Sequence, residues 1–163
     1  MATLTPVNPR VYANGHMETI KLLADTDATW KQGQFLQISA EGYLQACASD
    51  AVQITHFALS DLDTAPGNTT TEVEVGVINA NVRFVMNELD GTVAQTDIGD
   101  TFGLDTTSNV CTIDIGDATN AALYLENVLW NLEPTKNSSA DVKARCIVRV
   151  PQAIIDATPA TAI

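Results

Sequence analysis

The stretch TEVEVGVI, residues 71–78, decides how this chain reads. Successive side chains of an extended backbone point to opposite faces. Val73, Val75 and Val77 therefore share one side, and Glu72, Glu74 and Gly76 the other. A second stretch, VKARCIVRV at 142–150, repeats that period. It puts Val142, Ala144, Cys146, Val148 and Val150 on one face and Lys143, Arg145, Ile147 and Arg149 on the other. Working outward, Val82, Phe84 and Met86 continue the alternation up to an Asp90-Gly91 turn. Short strands are predicted at 18–24, 33–39, 43–47, 54–59, 101–104 and 110–115. The Glu41-Gly42 pair marks a hairpin turn, and 60–71 reads as a loop with Pro66-Gly67-Asn68 at its tip.

Residues 119–132, TNAALYLENVLWNL, fit two templates. Ala122, Leu125, Val128, Leu129 and Leu132 match a helix; Tyr124, Glu126 and Val128 match a strand. The surrounding pattern favours the strand and leaves the helix open. The reading is all-β: a small antiparallel barrel or sandwich of short strands over 17–150. An extended N-terminal arm occupies 1–16, where Pro6 and Pro9 deny helix and ladder hydrogen bonds. A loose C-terminal tail occupies 151–163, with little reason to be ordered unless a partner covers it.

Composition narrows the function. At 163 residues the chain is one domain, large enough to bury a core without disulfides or metals. Twenty acidic against eight basic residues give a formal charge of −12, which argues against nucleic-acid and anionic-membrane partners. No signal peptide or membrane-length apolar run is legible, so synthesis in a reducing cytoplasm is expected. The sequons at Asn68 and Asn137 are then coincidental.

No catalytic constellation is expected. Cys47, Cys111 and Cys146 sit in alternating strand contexts as core thiols, and His16 and His56 are the only histidines. Asp97-Ile-Gly-Asp100 and Asp114-Ile-Gly-Asp117 form an internal echo that suits hard cations. It lacks the denser ligand register of a calcium loop, and turn chemistry explains it more simply. Glu72 and Glu74 form a solvated strand face, and Trp30 and Trp130 belong to no aromatic cluster. No metal or cofactor is expected. What stands out is the clustering of scarce cations: Lys143, Arg145 and Arg149 on one face of the last strand, and Arg10 in the arm. These face an acidic neighbour, or else pair across strands with Glu72 and Glu74.

The order of strands and glycines over residues 17–150 resembles the small head decoration, or cement, proteins of tailed bacteriophages. The resemblance runs through Gly33-Gln-Phe-Leu-Gln-Ile, Gly42-Tyr43-Leu44, Ile54-Thr-His-Phe-Ala-Leu and Val73-Glu-Val-Gly-Val. It continues with Val82-Arg-Phe, Ile98-Gly99-Asp100-Thr-Phe102-Gly103-Leu104-Asp105, Val110-Cys-Thr-Ile-Asp114 and Ala144-Arg-Cys-Ile-Val-Arg-Val. It implies a structural virion protein, not an enzyme, on the outer surface of the expanded capsid. Such proteins, often trimers, bridge neighbouring major capsid subunits. On that reading the arm residues Pro6, Asn8, Pro9, Arg10 and Tyr12 contact the capsid, and Lys143, Arg145 and Arg149 meet a subunit or the capsid. The competing readings are a receptor- or carbohydrate-binding β module of a phage fibre, and a tail or connector barrel.

Overall fold

The computed structural model describes residues 2–12, 16–63, 67 and 69–158. Most of the proposed loop tip, at Pro66 and Asn68, lies outside the described residues. The protein is all-β, as its alternation requires. Its strands are β1 (Arg10–Val11), β2 (Thr19–Leu23), β3 (Thr29–Trp30), β4 (Phe35–Ile38), β5 (Leu44–Ala46), β6 (His56–Ala58) and β7 (Leu62–Asp63). They continue as β8 (Glu72–Val77), β9 (Phe84–Asn87), β10 (Thr101–Thr107), β11 (Val110–Asp114), β12 (Leu123–Val128) and β13 (Arg145–Arg149). Two one-turn helices, α1 (Leu129–Leu132) and α2 (Gln152–Ile155), follow β12 and β13.

A six-stranded antiparallel sheet has the order β1-β9-β13-β12-β10-β11, and a five-stranded one the order β2-β8-β6-β4-β5. The short pair β3-β7 forms a third. The six-stranded sheet curls into a half-barrel: a bridge between Glu88 and Ile113 returns its β11 edge to the continuation of β9. Its concave face meets the five-stranded sheet through Phe84, whose ring lies 5.0 Å from Phe35 and 5.1 Å from Phe57. The Phe35–Phe84 pair meets edge-on, a geometry that adds about 0.5–1.5 kcal/mol beyond burial. The other face of the five-stranded sheet is covered by Trp30, with Leu36, Leu44, Ala58 and Val75 beneath it.

The ambiguous 119–132 segment is both strand and helix. β12 runs to Val128 and then turns directly into α1. A bulge between Leu125 and Asn127 shifts its register against β13. Leu123 and Leu125 face the core and, past the extra residue, so does Val128. That irregular spacing of buried residues is why period 2 and period 3.6 both half-matched. The β10–β11 hairpin is longer than its sequence showed. Ser108 and Asn109 both take positive φ, 54° and 62°, as a two-residue turn with the twist of paired strands requires.

Residues 2–12 and 151–158 differ from expectation; the rest of the expected arm and tail, at 1, 13–15 and 159–163, lies outside the described residues. The N-terminal segment is extended but laid on its own domain. β1 pairs with β9, Thr3 bridges Val142, and Tyr12 N–H donates to Arg83 O at 2.8 Å. Its prolines leave donors free elsewhere, and side chains of the domain meet them: Val7 N–H donates to Asn87 Oδ1 at 3.2 Å and Ala2 N–H to Asp141 Oδ1 at 3.1 Å. The C-terminal segment docks through Ile154 and Ile155, which pack on the main core, while Gln53 Nε2 donates to Ala157 O at 2.6 Å. Ile54 N–H also donates to Ile154 O at 3.4 Å, so apolar burial and two hydrogen bonds together hold this turn.

Candidate interaction surface

The register across the six-stranded sheet aligns Arg10 with Val85, and Val85 with Ile147. Residues opposite one another in a ladder point to the same face, so Arg10 projects from the convex side. By alternation, Arg83 with Val85 on one strand, and Arg145 with Ile147 and Arg149 on the next, project there too. All four arginines of a chain with formal charge −12 therefore lie on one face. With strands about 4.8 Å apart and about 3.3 Å per residue along them, Arg10 stands about 12 Å from each β13 arginine, backbone to backbone.

The centre of that face is apolar. Val85, Ile147 and Leu129 are buried in a small cluster of their own, with Tyr12 packed against it. Ile147 falls among the basic residues of its strand because α1 and Tyr12 cover it from outside. Two hollows flank this island. One, about 190 Å³, is lined by Arg10, Val11, Tyr12, Val85, Leu129 and Glu133. The other, about 110 Å³, is lined by Tyr12, Arg83, Glu126, Asn127, Leu132 and Ile147. Tyr12 borders both, and Leu132 is 46% exposed beside the second.

The arginines differ in how they are held. Arg83 Nε donates to both oxygens of Glu126, at 2.7 and 2.8 Å. Arg149 stacks over Tyr124 with 4.3 Å from guanidinium carbon to ring centroid. Among the described residues no carboxylate pairs with Arg10 or Arg145. Cross-strand pairing of the basic residues with Glu72 and Glu74 does not occur. Those glutamates belong to the other sheet, where Glu74 stands opposite Lys21 and accepts from Thr19 Oγ1 at 3.3 Å.

Lys143 leaves the stripe. Its backbone is left-handed, φ 59°, so the alternation that starts at Ala144 does not reach it. Its N–H donates to Gly91 O at 2.7 Å. Its side chain lines a separate groove of about 220 Å³ with Pro6, Leu89, Asp105, Val110 and Thr112. Arg83 takes the place in the cluster that the last strand alone assigned to Lys143. The sequence carries the alternation of Arg83 with Val85 and Asn87, but that these lie beside 145–149 comes from the β9–β13 pairing.

Pro6 lines the groove beside Lys143, while Asn8 and Pro9 hold the segment on its own domain. Asn8 Oδ1 accepts from Cys111 N–H at 2.9 Å, and its Nδ2 donates to Asn109 O at 3.0 Å, tying the segment to the β10–β11 hairpin. Pro9 is buried. Gly33, at φ 89°, leaves room for both: a Cβ there would stand 2.8 Å from Asn8 Cβ and from Pro9 O. Of the five arm residues singled out from sequence, Arg10 and Tyr12 stand on the arginine face.

Titratable groups elsewhere serve the fold. The three thiols are free and buried, and burial pushes each above its usual range. His56 is lowered by desolvation and bonds Thr55 Oγ1 at 2.7 Å. The two Asp-Ile-Gly-Asp segments act in turns. Asp97 Oδ2 accepts from Ala94 N–H at 2.7 Å, Asp114 Oδ1 from Gly116 N–H at 2.9 Å, and Asp117 Oδ1 from Thr119 and Asn120 N–H. Among the described residues no group of three or more His, Cys, Asp or Glu side chains could hold a metal ion.

No protein-family model matches the chain, and searches of the curated proteins and of the solved structures give no match.

Proposed function

We propose that this protein is a structural virion component that binds the outer surface of an expanded phage capsid as a homo-oligomer and stabilises it by bridging major capsid subunits. The observation that carries the reading is the gathering of all four arginines around an apolar island on one face of a strongly acidic chain. The residues come from three strands far apart in sequence, and a rigid antiparallel sheet fixes their spacing. A charged rim with an excess of one sign around an apolar centre is the anatomy of a protein contact surface, with the rim steering approach and the centre supplying burial. Repeated weak contacts of this kind gain strength on a lattice through effective concentration.

The test is copy number. Quantitative peptide mass spectrometry on density-purified particles, with the major capsid protein as internal standard, should give about one copy per one or two capsid subunits. A few copies per particle would favour a fibre, tail or connector role, and absence from particles would overturn the virion reading.

A further inference from the structure

We propose that the convex arginine face docks an acidic segment of its capsid partner, which sets one apolar side chain into each hollow beside Tyr12. This rests on the decoration reading and names the partner's chemistry. The hollows are about 190 and 110 Å³, or about six and four water volumes. Small-molecule sites usually run from about 300 to 1,000 Å³, so each hollow suits a single aliphatic side chain. Their shared wall, Tyr12, sets two anchors a short distance apart, as one segment laid across the face would present them.

The electrostatics favour carboxylates on that segment. Glu133 lines the first hollow and Glu126 the second, and Glu126 is already held by Arg83. Four arginines against these two glutamates leave an excess of positive charge. The excess sits on Arg10 and Arg145, which have no ion pair among the described residues, and on Arg149, which has only its ring contact. A basic or neutral segment would leave these guanidiniums desolvated and unpaired, which is costly. The chain's overall −12 repels an acidic partner at long range, but at physiological salt that repulsion is screened beyond about 8 Å, while contacts at the face are not.

The experiment uses the full chain and expanded shells stripped of it. A photo-crosslinking phenylalanine analogue replaces Leu132, and the attached peptide is sequenced by mass spectrometry. The expected product is a capsid-protein peptide rich in Asp or Glu with apolar residues between them. A basic or neutral peptide, a peptide from a second copy, or no shell cross-link overturns the inference. In parallel, Arg10→Glu with Arg145→Glu should weaken shell binding by about tenfold per arginine at 0.15 M salt, and by less at 0.5 M. Unchanged circular dichroism and melting would show that the variant folds. If wild type binds shells and the variant binds equally well, this inference fails while the decoration reading stands. If wild type neither binds shells nor occurs in particles, both fail.

Discussion

Residues 2–12 and residues 151–158 both lie along the domain, but by different means. The N-terminal segment is held largely by polar geometry: ladder bonds to β9, the Thr3–Val142 bridge and the Asn8 side chain between Cys111 and Asn109. The C-terminal segment is held chiefly by Ile154 and Ile155 against the core, helped by the Gln53 amide and by Ile54 N–H, which donates to Ile154 O. Hydrogen-bonded attachment is directional and fails if one partner moves. Apolar attachment is approximate and scales with buried area. The segment that carries Arg10 and Tyr12 into the arginine face is thus the one whose position is fixed most sharply.

Gly33→Ala should show the largest effect of the polar attachment. Its Cβ would press on Pro9 O and Asn8 Cβ at 2.8 Å, in a left-handed conformation that alanine disfavours. A loss of about 2–4 kcal/mol is expected, which for a chain of this size lowers the melting temperature by about 2–4 °C per kcal/mol. Unchanged melting would mean that the N-terminal segment does not rest on this loop. Asn8→Ala removes the acceptor for Cys111 N–H and should cost about 1–3 kcal/mol in denaturant unfolding, with amide exchange accelerating first at 109–111. Ile154→Ala tests the apolar attachment. Being only partly buried, it should cost about 1 kcal/mol and loosen 152–157 without affecting exchange in β1.

Glu88 offers a pH test that neither terminus shares. It is 2% exposed, its carboxylate accepts from Asp90 and Gly91 N–H, and burial raises its pKa above the ordinary 4.5 despite those bonds. A carboxyl raised in the fold binds its proton more tightly there than in the unfolded chain. Its contribution is therefore full below pH 4.5 and lost as pH rises through the folded pKa. Glu88→Gln keeps an acceptor for the turn and removes the titration. Melting curves across that window should show wild type losing this part of its stability with rising pH and the variant lacking that loss. The smallest effect should come from Arg83→Ala, an exposed pair worth about 0–1 kcal/mol to folding.

The strands with regular alternation were legible in outline. Glu72–Val77 and Arg145–Arg149 appear within their expected stretches because apolar and charged residues alternate along each, even though Ile147 is also buried on the second face of its strand. The Ser108-Asn109 turn was not legible, because it has neither the glycine nor the Asn-Gly order that marks such turns. The bulge in β12 hid both its own face and the start of α1. Of the basic residues, Arg145 and Arg149 could be placed on a common face from their spacing alone. Arg83 could not be joined to them, since that depends on which strand lies beside β13.

What the sequence by itself determined is local: which residues alternate, where aspartate and glycine turn the chain, and that eight cations stand against twenty acids. These follow from backbone geometry and composition, which neighbours in sequence settle between themselves. Tertiary structure alone decided which strands are adjacent, and so that Arg10, Arg83, Arg145 and Arg149 share one face and Lys143 does not. It also decided that residues 2–12 and 151–158 lie on the domain. Attachment of that kind depends on partners about 80 to 140 residues distant, such as Asn87 for Val7 and Asp141 for Ala2, and no local pattern records them.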